Sequence, residues 1–234
     1  MTSELTCRPA GKAPAHSSTC AILSQEVDAT PQQIQQALLA LHGGDLVAYP
    51  TDTVYGLGCD ACNPAAVARV FAVKQRPLSQ PLPLLVADIA MLEQATTGLS
   101  PLARRLIKRF MPGPLTIVVP RSSLIPDIVA AGGPSVGLRI PDHPIPRALA
   151  AGLGHPIAGT SANRSGMPSA RTAAEVRRQL GNSVDCILGG SCGDSLESTI
   201  LDLTQDPPAL LRRGPIPLAD LQEALGHSLA GHSA

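Results

Sequence analysis

From Thr30 onward, apolar positions recur with two different spacings, and their alternation predicts helices interleaved with short strands. Ile34, Ala37, Leu38 and Leu41 fall at helical spacing behind Thr30, which can cap a helix starting at Pro31 with Gln33 completing a capping box. Gly43-Gly44 ends that helix. Leu46 to Tyr49 reads as a buried strand, and the polar, glycine-bearing stretch Pro50 to Asp60 as the loop leaving it. Asn63-Pro64 opens a second helix, with Val67, Val70 and Phe71 on one side and an end near Lys74. Pro77, Pro81 and Pro83 exclude helix from the next stretch and leave Leu82 to Val86 as an edge strand or a strand start. Asp88 and Ser100 are expected caps, the second for a helix over Pro101 to Phe110. Further helices are expected from Pro144, from Thr172 with Glu175 in the box position, and over Pro217 to Leu225. Strands are expected at Leu115 to Val119, Val136 to Ile140, Pro156 to Ala158, Val184 to Leu188, Thr199 to Leu203 and Ala209 to Leu211.

This order predicts the α/β class: a single domain over 25–226 with a twisted mixed sheet and packed helices, undivided by any linker or internal repeat. Residues 1–24 mix Pro, Gly, Ser, Thr and His without periodicity and are expected to form a loose leader, and 227–234 a tail. An apolar content of 44% supplies a sizeable core. The 18 basic and 18 acidic residues cancel, so no field of one sign draws in nucleic acid or an anionic membrane, and a polyanion must be held at a local site. With no Trp, two Phe and two Tyr, the stacking surface of a single-strand binder is missing. Apolar runs break before about 18 residues, so no membrane span is expected and the reading is a cytoplasmic protein. Cys7, Cys20, Cys59, Cys62, Cys186 and Cys192 then read as reduced thiols.

Several chemistries fail on context. Gly56-Leu57-Gly58-Cys59-Asp60-Ala61 matches a dinucleotide fingerprint in letters, but polar residues separate it from the strand and no acid follows about twenty residues on. No phosphate-binding Gly-x-x-x-x-Gly-Lys-Ser/Thr loop and no Gly-x-Ser-x-Gly elbow are present. Cys59 and Cys62 could form half a zinc site with Cys186 and Cys192, but the second pair is spaced too loosely, and no metal ligands are assigned. His143, at a helix start, reads as a local cap.

What remains is a set of small-polar loops at strand ends: Thr51 to Gly56, Lys74 to Pro77, Pro112 to Thr116 and Gly159 to Asn163. Each alone is compatible with turn chemistry, and Lys74 with Arg76 is compatible with a solvated basic helix end. Together they supply hydroxyls, an amide and two cations, suited to an anionic, hydrogen-bonding ligand at the strand ends of an open sheet.

Seven stretches resemble, in order, the motifs of the YrdC-type threonylcarbamoyl-AMP synthases. They are Tyr49 to Gly58, Lys74 to Pro77 with Pro81-Leu82, Pro112 to Thr116, Gly137 to Pro144, Thr160 to Gly166, Glu197 to Ile200 and Leu211 to Pro215. The resemblance implies a YrdC-like fold in its single-domain form. It implies an enzyme that makes L-threonylcarbamoyl-adenylate from L-threonine, bicarbonate or CO2, and ATP with Mg²⁺, releasing pyrophosphate. A separate tRNA transferase machinery would use the product. By motif, Lys74, Arg76, Ser161 and Asn163 face the nucleotide and its phosphates as catalytic residues, and Thr116, Ser169 and Arg212 join Arg76 and Ser161 near ATP. Thr53 and Ser198 stand near threonine, and Arg139 lies in a matched stretch without an assigned contact. Gln80 and Leu85 depart from residues found in some relatives, Asn and His. The competing reading is a double-stranded RNA-binding or ribosome-maturation module of the same fold; the zero net charge weakens it but leaves a weak local RNA contact open.

Overall fold

The computed structural model describes residues 28–193 and 196–226. The expected leader and tail lie outside the described residues. Helices form where the local chemistry closes their ends. In α1 (Pro31–His42) Thr30 Oγ1 accepts from the Gln33 amide and Gln33 Oε1 accepts from the Thr30 amide, the capping box read from the sequence. Asn63 caps α2 (Pro64–Lys74), Asp88 caps α3 (Ile89–Gln94), Ser100 caps α4 (Pro101–Phe110), and Thr172 caps α6 (Ala173–Leu180). His143 Nδ1 accepts from the Ile145 amide at the start of α5 (Pro144–Leu153). Leu218–Leu225 forms α7.

The strands are β1 (Val47–Tyr49), β2 (Gly56–Asp60), β3 (Leu84–Leu85), β4 (Leu115–Pro120), β5 (Ser135–Arg139), β6 (Ile157–Ser161), β7 (Cys186–Ile187), β8 (Thr199–Asp202) and β9 (Ala209–Arg212). They form one nine-stranded sheet in the order β7-β1-β2-β6-β3-β5-β4-β8-β9. The pairs β1/β7, β3/β5 and β4/β8 are parallel and the others antiparallel, so the sheet is mixed as expected. Four expectations are corrected. The stretch assigned to a loop over Pro50 to Asp60 contains β2, the strands over Leu82 to Val86 and Val184 to Leu188 shorten to two residues each, and the strand at Pro156 to Ala158 runs on through Ser161.

Strand periodicity then assigns the two faces of the sheet. One row crosses six strands as Cys59, Ala158, Leu84, Leu138, Ile117 and Leu201, all fully buried. It joins Leu41, Val67, Phe71 and Leu149 of the helices in a single apolar core. The alternate positions carry Tyr49 opposite Gly56, Gly56 opposite Ser161, Gly58 opposite Gly159, Leu85 opposite Arg139, and Ile200 opposite both Thr116 and Arg212. Apart from Leu85 and Ile200, those residues are small, hydroxylated or cationic, and they turn the second face into a floor rather than a packing surface.

Candidate functional site

A cavity of about 370 Å³ opens on that second face. Its first wall is the loop between β1 and β2, which folds on its own hydroxyls. Thr51 Oγ1 donates to the Val54 carbonyl at 2.7 Å and accepts from the Thr53 amide at 3.1 Å. Arg139, rising from β5, fixes this loop: Nη1 donates to Thr53 Oγ1 at 3.2 Å, Nη2 to Asp52 Oδ1 at 2.6 Å, and Nε to the Gly113 carbonyl at 3.0 Å. The Arg139 and Asp52 side chains are 7% and 13% exposed, so this ion pair is nearly buried and its guanidinium is bonded on all three nitrogens.

The second wall comes from the end of α2. Gln75 adopts a left-handed conformation, φ 54°, which turns the chain so that Lys74 and Arg76 diverge. Lys74 points inward, 2% exposed; its ammonium donates to the Ser161 carbonyl and, at 3.0 Å, to Asn163 Oδ1. Burial and then the neighbouring Arg76 push its pKa down to about 8, against the pull of Glu197. Arg76 instead lines the cavity and ties the following loop, donating to the Gln80 carbonyl at 3.2 Å and the Pro81 carbonyl at 3.0 Å. Its pKa is lowered by burial and by Arg212.

The third wall joins β8, β9 and the loops before them. Thr116 and Ser198 share a hydroxyl hydrogen bond of 2.8 Å. Arg212 donates to the Ser198 carbonyl at 2.9 Å and hydroxyl at 3.0 Å, and forms an ion pair with Glu197. Ser169 Oγ donates to the other Glu197 oxygen at 2.6 Å. Burial alone would raise the Glu197 pKa, but the Ser169 hydroxyl, Arg212, the Ser161 hydroxyl and Lys74 outweigh it and hold the carboxylate ionised.

Of the residues singled out in the sequence, Thr53, Arg76, Thr116, Ser161, Ser198 and Arg212 line one cavity. Lys74, Asn163 and Ser169 do not; Lys74 and Ser169 stand behind lining residues and bond to them, and Asn163 bonds to Lys74. Gln80 and Leu85, the two departures, also line it. Glu197 and Tyr49 are lining residues that carried no assignment, although Glu197 directly precedes Ser198 and Tyr49 opens the first matched stretch. The cysteines lie elsewhere: Cys59 is a buried thiol whose pKa burial pushes up, Cys186 is buried and Cys192 half-buried. Cys62 is disulfide-bonded, which corrects the expectation of reduced thiols at that position. Asp60, Cys62 and His155 bring their polar atoms within 4.8 Å of one another, but the Cys62 sulfur is already committed and none of the three lines the cavity.

A family model described as Sua5_yciO_yrdC, telomere recombination, matches residues 39–214. The chain belongs to this family. Among the relatives of this Sua5/YciO/YrdC protein, the threonylcarbamoyl-AMP synthase of Pyrococcus abyssi is 42% identical over 184 residues, covering 78% of this chain and 54% of the relative. The threonylcarbamoyl-AMP synthase of Photobacterium profundum is 38% identical over 184 residues, covering 77% of this chain and 98% of the relative. The crystal structure of P. abyssi Sua5 complexed with L-threonine superimposes with a TM-score of 0.81 at 40% identity, covering 84% of this chain and 58% of that one. The chain thus spans little more than half the length of the P. abyssi protein.

Proposed function

We propose that this protein condenses L-threonine, bicarbonate or CO2, and ATP into L-threonylcarbamoyl-adenylate and pyrophosphate. The observation that carries the reading is the convergence of Thr53, Arg76, Thr116, Ser161, Ser198 and Arg212 on one cavity, in a chain whose relatives are named threonylcarbamoyl-AMP synthase. The neutral threonine amine bonds to the carbon of CO2, which bicarbonate supplies by losing hydroxide, and gives up a proton to become a carbamate; a carbamate oxygen then attacks the α-phosphorus, and the bond to pyrophosphate breaks. This displacement needs alignment and charge neutralisation more than a nucleophilic side chain. Arg76 and Arg212 would neutralise the phosphates, while Thr116 and Ser161 would orient the nucleotide. Thr53 and Ser198 would hold the amino acid. Lys74 and Asn163 would act through Ser161, and Ser169 through Glu197.

Among the described residues, Glu197 is the one carboxylate that lines the cavity, and it is engaged by Arg212 and Ser169. The described lining therefore lacks the free carboxylates of a protein-built magnesium cage, and Mg²⁺ would arrive on the triphosphate. We place the product in tRNA threonylcarbamoyladenosine formation, passed on to a separate transferase machinery in the cytoplasm. Among the described residues no helix is long and apolar enough to cross a membrane. The test is to incubate the protein with ATP, bicarbonate, Mg²⁺ and each amino acid in turn, following pyrophosphate and adenylate by mass spectrometry. Adenylate formation with threonine above all others is expected. No adenylate with any amino acid, or equal yields with alanine, valine and threonine, would sink the reading.

A further inference from the structure

Tyr49 is fully buried, and its hydroxyl has no hydrogen-bond partner among the described residues. A buried phenol in a core of this kind normally finds a partner, because an unpaired one costs about 1–3 kcal/mol. The ring lies on the cavity side of the sheet, in the space left by glycines. A Cβ on Gly56 would meet the ring at 2.7 Å, one on Gly58 would meet the hydroxyl at 2.6 Å, and one on Gly159 would meet it at 3.0 Å. The side chain therefore crosses β2 and presents its oxygen at Gly159 of β6, beside Leu85. Tyr49, Gly56, Gly159 and Leu85 all line the cavity. Three strand positions are stripped of side chains to seat one hydroxyl where the described residues give it nothing to bond.

We infer that the Tyr49 hydroxyl is a specificity-determining contact for the amino-acid substrate, bonding its side-chain hydroxyl or its carboxylate. The inference rests on the functional reading above, which sets the amino acid at Thr53. Arg139 connects the two places, since it bonds Thr53 and lies close enough to Tyr49 to act on its charge. Burial pushes the Tyr49 phenol well above its ordinary pKa, so it stays neutral and can both donate and accept at any working pH. Leu85, apolar beside it, offers no competing bond.

Calorimetric titration of the full chain tests this, with L-threonine, L-2-aminobutyrate and ATP as probes and with the parent compared to Tyr49→Phe. The variant should bind threonine about three- to tenfold more weakly, bind ATP unchanged, and melt at the same or a higher temperature, because an orphan hydroxyl contributes no folding hydrogen bond. If the partner is the threonine hydroxyl, 2-aminobutyrate is unaffected; if it is the carboxylate, both amino acids weaken equally. An unchanged threonine affinity, a change confined to ATP, or a variant that melts earlier or does not fold would overturn the inference and make Tyr49 structural. A parent chain that binds no threonine would instead overturn the functional reading, and this inference with it.

Discussion

On β6, Ala158 and Gly159 are neighbours in sequence and belong to different regions. Ala158 sits in a row of fully buried side chains that crosses to Leu201, while Gly159 belongs to a face on which three glycines leave room for the Tyr49 ring. The helix-packed face is held by contact, and its residues are interchangeable with others of similar volume. The cavity face is held by a small number of directional bonds, such as Arg139 to Asp52 and Thr53, and by emptiness that the glycines secure. Substitution should therefore damage stability on one face and chemistry on the other.

Leu57→Ala, on the packed face, should show the largest effect: about 2–5 kcal/mol of stability lost, with the turnover of the remaining folded protein nearly intact. Denaturant melts read beside single-turnover rates would check the split. Arg76→Met should do the reverse. If its guanidinium meets phosphate charge growing as pyrophosphate leaves, kcat drops by roughly 30- to 1,000-fold, about 2–4 kcal/mol, while stability falls by only about 1–2 kcal/mol for the two loop hydrogen bonds given up. Wild-type turnover in folded Arg76→Met would erase the distinction between the faces.

Gly58→Ala crosses the boundary. Its added Cβ would fall 2.4 Å from Ile157 Cγ2 and 2.6 Å from the Tyr49 oxygen, so about 1–3 kcal/mol of stability should go and threonine binding should weaken with it. A pH titration separates Lys74 from Arg76. The Lys74 ammonium is present below about 8 and lost as pH rises through that value, so turnover should fall there by up to roughly tenfold. The falling limb should be missing in Lys74→Met. Global stability should move the other way: the unfolded chain, with a Lys pKa near 10.5, holds more protons between about 8 and 10.5, so this group's contribution to stability rises with pH across that window. Cys59→Ala should be the mildest change, with turnover within about twofold, since its buried thiol touches none of the chemistry.

The helix starts were legible because capping is a local matter: Thr30 with Gln33, Asn63 with Pro64 and Thr172 with Glu175 state their geometry within four residues. The strand β2 was not, because Gly56-Leu57-Gly58-Cys59-Asp60 carries the glycines of a loop. Those glycines answer to a Tyr49 ring on the next strand, which no window along the chain reveals. The same limit applies within the cavity. Its hydroxyls and cations could be found by type and by resemblance, and six of them do converge. The inward turn of Lys74 depends on the left-handed Gln75, and the tasks of Arg139 and Glu197 depend on partners brought up by distant loops and strands.

The parallel pairing of β4 with β8 sets residues 115–118 against 199–202. Two of the cavity's hydroxyls, Thr116 and Ser198, meet only across that late seam, and Arg212 lies later still. During synthesis, the third wall of the cavity therefore cannot exist until the chain as far as Arg212 has left the ribosome. Closing so long a loop makes this one of the slower contacts to form. A nascent chain halted before β8 would lack Ser198 and Arg212, and on the proposed function it would have nowhere to seat a triphosphate.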